Sequence, residues 1–320
     1  EFIKIKMKKK AIIISIKGSK LTSKERLILS TEKPWGVILF KRNIKTLTQI
    51  KVLIQKIKNL TQDKHFPILI DEEGSTVSRL GNIIDHNISA NYFGNLYSVN
   101  NKLCIKLYKK YLVSLCKNLR NIGININTIP ILDILNKNTN KVIGNRSFSN
   151  KKEIVKKLGQ ITVEECHINK IATVMKHIPG HGCSTLDSHL KMPKVYLTKD
   201  HLDKNDFFPF KKNKAKMAMT AHILYKKIDS NNVATFSKKI IKEIIRKKIG
   251  FNGILMSDDI SMKALKYDLI TNAKKSLEAG CNLVLYCAGN INDNFKLIKS
   301  LPYIDKFTAK KTSEIYKILR

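Results

Sequence analysis

A single-domain α/β chain, folded as a closed (β/α)₈ TIM-type barrel, is the fold class that this sequence predicts. Three observations carry the prediction. Eight short, near-continuously apolar runs recur, at 11–16, 36–40, 67–70, 124–134, 171–175, 217–221, 253–256 and 281–287. Parallel strands buried on both faces require such runs. Amphipathic stretches with helix-start signals lie between them, so strand and helix alternate. The 320 residues hold eight such units, because about 250 residues suffice for a barrel of this kind.

The elements follow in order. After the first run, Thr22-Ser23-Lys24-Glu25 is a capping-box helix start. After the second, Ile50, Leu53, Ile54 and Ile57 recur at i, i+3, i+4 and i+7, predicting a helix over 47–57 with one buried face. Asn150 with Glu153 predicts another helix start. Ser237 caps a helix whose stripe is Ile240, Ile241, Ile244 and Ile245 and whose stop is Gly250. A further helix is expected to begin near Ile260. A doubly wound open sheet competes, but it usually carries a glycine-rich phosphate turn after its first strand, and residues 16–20 supply one glycine. With no linker, repeat or low-complexity tract, residues 7–320 read as one domain. Residues 1–6 are expected to be a non-native or disordered start, since Glu1 is not an initiator and Met7 precedes three lysines.

Composition narrows the function. Hydrophobic residues make up 43% and charged residues 27%, which excludes a wholly disordered or collagen-like chain. Sixty Lys plus Arg against 25 Asp plus Glu give a formal +35, which alone favours a polyanion partner. The excess is mostly Lys, spread along the chain beside abundant Ile and Asn, without a long basic tail. Those residues have A/T-rich codons, so genomic drift is the preferred explanation and no specific nucleic-acid partner is expected; a basic nucleic-acid-binding protein is the rival from a different class. Six cysteines, at 104, 116, 166, 183, 281 and 287, contain no CxxC pair, so reduced thiols are expected. No apolar run approaches the roughly 18 residues of a membrane span. The chain reads as cytoplasmic, with no membrane partner.

Active sites of such barrels lie at the C-terminal ends of the strands. Polar groups follow five of the runs: Asp71, Asp133, Lys176 with His177, Thr220 with His222, and Ser257-Asp258-Asp259. The stretch 176–189 holds His177, His181 and His189, two glycines and a proline. Asp187 and His189, two apart, form an acid/base pair if the loop bends. The three histidines lie four and eight apart in a segment that cannot be one helix, so no metal site is expected. His222 reads equally as a core histidine or a substrate ligand. Of the adjacent aspartates, Asp258 is expected to point inward as a nucleophile and Asp259 toward the next helix or a cation.

These residues lie in ordered motifs: GVILFKRNI at 36–44, IDEEGSTVSRL at 70–80, PILDI at 130–134, IGNRSF at 143–148, KHIPGHG at 176–182, DSH at 187–189, MTAH at 219–222 and GFNGILMSDDISM at 250–262. With them the chain resembles, from about residue 11 to about residue 290, the bacterial β-N-acetylhexosaminidases of glycoside hydrolase family 3 that act in peptidoglycan recycling. The resemblance implies a TIM-type barrel, Asp258 as nucleophile, and His189 as acid/base with Asp187 as its partner. It also implies that Asp71, Arg79, Arg146, Lys176 and His177 bind a terminal N-acetylglucosamine (GlcNAc). The implied reaction is retaining hydrolysis of β-linked GlcNAc from muropeptide fragments by a monomer without cofactor. Phosphate in place of water is a close rival, as is attack by the substrate's own acetamido group. Ser75-Thr76 stand where the family commonly has Gly-Arg, Asn145 where Asp is common, and Cys183 where an acidic or amide residue is frequent.

Overall fold

The computed structural model describes residues 8–85, 87–136, 143–184 and 192–320. The start at 1–6 therefore lies outside the described residues. Eight parallel strands close into one barrel in chain order: β1 Lys10–Ser15, β2 Pro34–Leu39, β3 Ile68–Ile70, β4 Ile126–Asn127, β5 Ala172–Ile178, β6 Met217–Thr220, β7 Ile254–Asp259 and β8 Leu283–Tyr286. Closure is made by β1, which pairs with β8 through Ile12 and Val284 and with β2 through Ile13 and Gly36. A two-stranded ladder beyond the barrel, Lys194–Val195 with Leu224–Tyr225, was not anticipated.

Strand alternation sorts the core into two layers. Ile13, Ile38, Leu69, Ile126, Val174, Met256 and Leu285 belong to the inner cluster, whereas Ile12, Ile14, Val37, Ile68, Leu255 and Val284 belong to the cluster packed under the helices. Both faces of each strand are thus dry, which is why the runs are continuously apolar. The connecting helices include Leu47–Thr61, Asn101–Ile122, Lys152–Ile168 and Leu269–Ala279. Thr22 and Glu25 form the expected capping box, and the Ser237 hydroxyl accepts the Ile240 N–H at 3.0 Å while Gly250 turns the chain with φ +79°. Among the described residues, no helix is long and apolar enough to cross a membrane.

Four expectations are corrected. The run 124–134 is not one strand: β4 stops at Asn127, because Pro130 has no N–H for the ladder, and pairing resumes as a single bridge between Ile131 and Lys176. Strands β5 and β7 run further than 175 and 256, so Lys176, His177, Asp258 and Asp259 stand on strand backbone rather than loops. Asn150 does not cap its helix: the boundary residue is Lys151, which makes no side-chain cap bond, and the Ser149 hydroxyl accepts the Lys151 N–H at 3.1 Å in the turn before the helix. No helix begins near Ile260, because Asp259 draws Ser261 into a tight turn through its N–H and hydroxyl. The next helix starts at Leu269, with Asp268 as its cap.

One close approach ties this scaffold to the rim. A Cβ added to Gly94, in the helix Ala90–Val99, would stand 1.6 Å from the carbonyl oxygen of Phe148, just beyond Arg146. Gly94→Ala is expected to cost about 2 kcal/mol through overpacking, whereas Asn95→Ala on the exposed face should stay within about 0.5 kcal/mol. Urea-denaturation midpoints measure both, and equal midpoints would contradict the contact.

Candidate active site

Strand parity delivers the site. Residues two beyond the inner-layer positions share their face, so Phe40, Asp71, Thr128, Lys176, Asp258 and Cys287 extend the inner layer of β2, β3, β4, β5, β7 and β8 to the C-terminal mouth. Five of the six line a cavity of about 440 Å³ together with Arg79, Arg146 and His177. Thr128 lies beneath, bonded to two of them: its hydroxyl donates to Asp71 and accepts from the Lys176 ammonium at 2.8 Å. A cavity of this size holds a monosaccharide.

Lys176 is the hub. Its ammonium, 3% exposed, lies 3.1 Å from Asp71 Oδ1 and 2.7 Å from Glu73 Oε1. Glu73 in turn accepts two bonds from the Arg146 guanidinium, at 2.7 and 3.0 Å, and Asp71 accepts one from Arg79 at 3.0 Å. Arg79 packs its guanidinium over the Phe40 ring, 5.1 Å from the centroid. Burial alone would raise both carboxyls. The neighbouring cations outweigh it: Lys176 and Arg79 hold Asp71 well below the usual carboxylate range, and Arg146 and Lys176 hold Glu73 below it.

A second buried carboxylate shapes the imidazole side. Asp133 accepts from His177 Nδ1 at 2.7 Å and from the His181 N–H at 2.6 Å. This fixes the His177 ring and leaves its Nε2 edge for the pocket. Asp133 is fully buried, so it positions the Lys176–His181 stretch rather than meeting a ligand. Burial pushes His181 down to about 4, with His177 beside it adding to the effect.

The paired aspartates separate as expected for direction. For Asp258, burial is outweighed by His177 and His222, joined by the Asp259 N–H and Lys176, so its carboxyl sits below the usual range. Burial raises Asp259, and the Asp258 charge adds to the rise. Asp259 is occupied by the Ser261 turn and by the Cys287 N–H, not by a helix. His222 resolves as a core histidine: Nδ1 accepts from the Thr235 hydroxyl at 2.7 Å, and Nε2 donates to the Asp259 carbonyl at 3.0 Å. Both ring nitrogens are used by the protein.

Of the residues expected at the site, Asp71, Arg79, Arg146, Lys176, His177 and Asp258 meet at one mouth. Asp187 and His189 lie outside the described residues. Glu73 is absent from the residues that the sequence singles out. Its signal was available, since it stands two after Asp71 in a run of three carboxylates. Ser75, Thr76 and Asn145, three of the four departures from the family pattern, touch one another: Thr76 donates to Asn145 at 2.5 Å, and Asn145 reaches Ser75 at 3.5 Å.

Two outcomes are expected. Glu73→Gln leaves Lys176 and Arg146 with less counter-charge in a buried site and should lower stability by about 3 kcal/mol in urea titrations. A loss no larger than that of exposed Glu164→Gln would refute the role of Glu73. The second concerns pH. His181 has a folded pKa of about 4 against 6.5 unfolded, so its contribution is complete above 6.5 and is lost as pH falls toward 4. Stability measured from pH 7 to 4 should fall, and His181→Gln should flatten that fall; an unchanged slope would contradict the assignment.

The comparisons with known proteins converge. The Glycosyl hydrolase family 3 N terminal domain matches residues 5–312. A beta-hexosaminidase of Haemophilus influenzae is 31% identical over 304 residues, spanning 92% of this chain and 85% of that protein. One from Nitrosomonas eutropha is 30% identical over 309 residues, spanning 95% and 87%. Among solved structures, NagZ from Neisseria gonorrhoeae in complex with N-trifluoroacetyl-D-glucosamine superposes with a TM-score of 0.87 at 29% identity, over 96% of this chain and 90% of that one. With an eight-stranded barrel whose mouth gathers a buried aspartate and a cation-carboxylate cluster, the chain belongs to glycosyl hydrolase family 3 and is a glycoside hydrolase of the β-hexosaminidase type.

Proposed function

We propose that the protein is a retaining exo-β-N-acetylglucosaminidase that removes terminal, non-reducing β-linked GlcNAc from peptidoglycan fragments, working as a cytoplasmic monomer in cell-wall recycling. The observation that carries this reading is the ionised, inward-facing Asp258 opposite the Asp71–Lys176–Glu73–Arg146 cradle. A cradle of charged donors and acceptors fixes sugar hydroxyls, and a carboxylate held below its usual range is anionic at neutral pH. The beta-hexosaminidase relatives and the N-trifluoroacetyl-D-glucosamine bound by the gonococcal NagZ favour an N-acetylated hexose.

In the first step His189 gives its proton to the leaving oxygen, the C1–O bond breaks, and an Asp258 oxygen bonds to C1. In the second, His189 takes a proton from water, the water oxygen bonds to C1, and Asp258 leaves as carboxylate. His177, locked by Asp133, and Lys176 stand beside the nucleophile and keep it ionised before it attacks and when it is released. No cofactor takes part.

Hydrolysis of a chromogenic β-GlcNAc glycoside tests the reading. Asp258→Asn is expected to lower kcat by about 10³-fold or more, and His189→Ala by about 10²-fold or more. Near-normal turnover by Asp258→Asn would overturn the assignment. GlcNAc 1-phosphate as the main product in phosphate buffer would replace hydrolysis by phosphorolysis at the same site.

A further inference from the structure

The flank of the barrel formed by the helices Leu47–Thr61, Ala90–Val99 and Asn101–Ile122 carries no carboxylate. The acid-free stretches are longer than the helices, running over 33–62 and 86–132, in a chain that holds 25 Asp plus Glu. The three helices form one slab. The Cys104 thiol donates to the Phe93 carbonyl at 3.1 Å, and the Phe93 and Tyr108 rings lie 4.5 Å apart. From the first helix, the Lys58 ammonium donates to the Gly123 carbonyl at 2.9 Å, at the end of the third.

The outer face of that slab is cationic and apolar together. On Asn101–Ile122, the side chains of Leu103, Lys106, Lys110, Val113 and Lys117 are exposed. At 3.6 residues per turn they fall within about 80° of one another. Among the described residues none of these lysines has an ion-pair partner, while Lys109, at the edge, pairs with Glu165 at 2.7 Å. Seven of the fourteen large hydrophobic side chains exposed among the described residues stand on the three helices, and Val99, at 87%, is the most exposed of them. Scattered singly, such side chains need no explanation; gathered among unpaired cations, they make a patch. A groove of about 860 Å³ along Leu47–Thr61 continues the pattern, since its lining holds Lys20, Arg26 and Lys56 beside Val52 and contains no carboxylate.

We infer that this flank docks the protein on the surface of an anionic lipid bilayer. The lysines meet headgroup phosphates, and Val99, Leu103 and Leu107 enter the boundary between headgroups and acyl chains. A nucleic-acid backbone would use the cations but gain nothing from leucines set among them. A bilayer uses both. Docking of this kind needs no spanning segment, so it replaces the expectation of no membrane partner, which rested on the lack of an apolar run long enough to cross. The helices lie along the side of the barrel and the mouth at its end, so a docked molecule keeps its mouth open to water. Docking is independent of the reaction performed there.

Co-sedimentation of the full chain with vesicles tests it, comparing phosphatidylcholine alone with phosphatidylcholine containing phosphatidylglycerol, at about 0.1 M salt. Binding about tenfold or more tighter to the anionic vesicles is expected. Lys106→Gln/Lys110→Gln should weaken it about tenfold or more, since each lysine at such a surface contributes roughly fivefold. Lys306→Gln/Lys310→Gln, in the last helix Lys306–Ile318, removes equal charge elsewhere and should change it less than about twofold. Leu103→Ser/Leu107→Ser keeps every charge and should weaken vesicle binding about tenfold while leaving retention on duplex DNA unchanged. These side chains are exposed, and unaltered circular dichroism checks that each variant folds. No preference for anionic vesicles, an equal loss in both lysine pairs, or unchanged vesicle binding by the leucine pair overturns the docking face. The last result, with DNA held as tightly as vesicles, identifies a general polyanion surface instead.

Discussion

The buried ammonium of Lys176 is the interaction on which the catalytic mouth depends. Two carboxylates within 3.1 Å of it, Asp71 and Glu73, could not both ionise in a dry site without it, because each desolvated charge costs several kcal/mol. Arg79, Arg146 and Thr128 supply further donors to the same two carboxylates. The lysine comes from β5, Asp71 from the end of β3, and Arg146 from the segment after β4. One cation thereby sets the spacing of three consecutive barrel units. The same ammonium also lowers the Asp258 carboxyl across the pocket, linking the Asp71–Glu73 cluster to Asp258 electrostatically.

Most of the fold was legible because parallel strands buried on both faces leave a plain mark, and all eight runs hold a barrel strand. What failed was local. Pro130 breaks a ladder that hydropathy reads as continuous, the helix expected at Asn150 starts after Lys151 without a side-chain cap, and Asp259 spends its oxygens on a turn rather than a helix. At the site, Asp258 faces inward for the reason that Met256 does: both share the parity of β7's inner face. Applied to every strand, that rule reaches Phe40, Thr128 and Cys287 from sequence alone. It does not reach Asp133, whose role comes from what it touches across the barrel.

The charge of +35 has little expression where the chemistry lies. At the mouth, Lys176, Arg79 and Arg146 stand among Asp71, Glu73, Asp258 and Asp259, so no cationic excess appears there. Exposed lysines carry the excess, and salt screens their field over roughly a Debye length of about 8 Å at physiological ionic strength. The buried set is little affected by that screening, which separates the reactivity of the mouth from the surface on which it is mounted.

The contact among Thr76, Asn145 and Ser75 draws a related consequence for the rim. It joins the loop that carries Arg79 to the segment that carries Arg146, and it does so with uncharged groups. An ion pair at that position would loosen as salt rises and would titrate at acid pH. A hydroxyl–amide clasp does neither, so the distance between the two arginine-bearing loops is held by a joint indifferent to ionic strength and proton concentration.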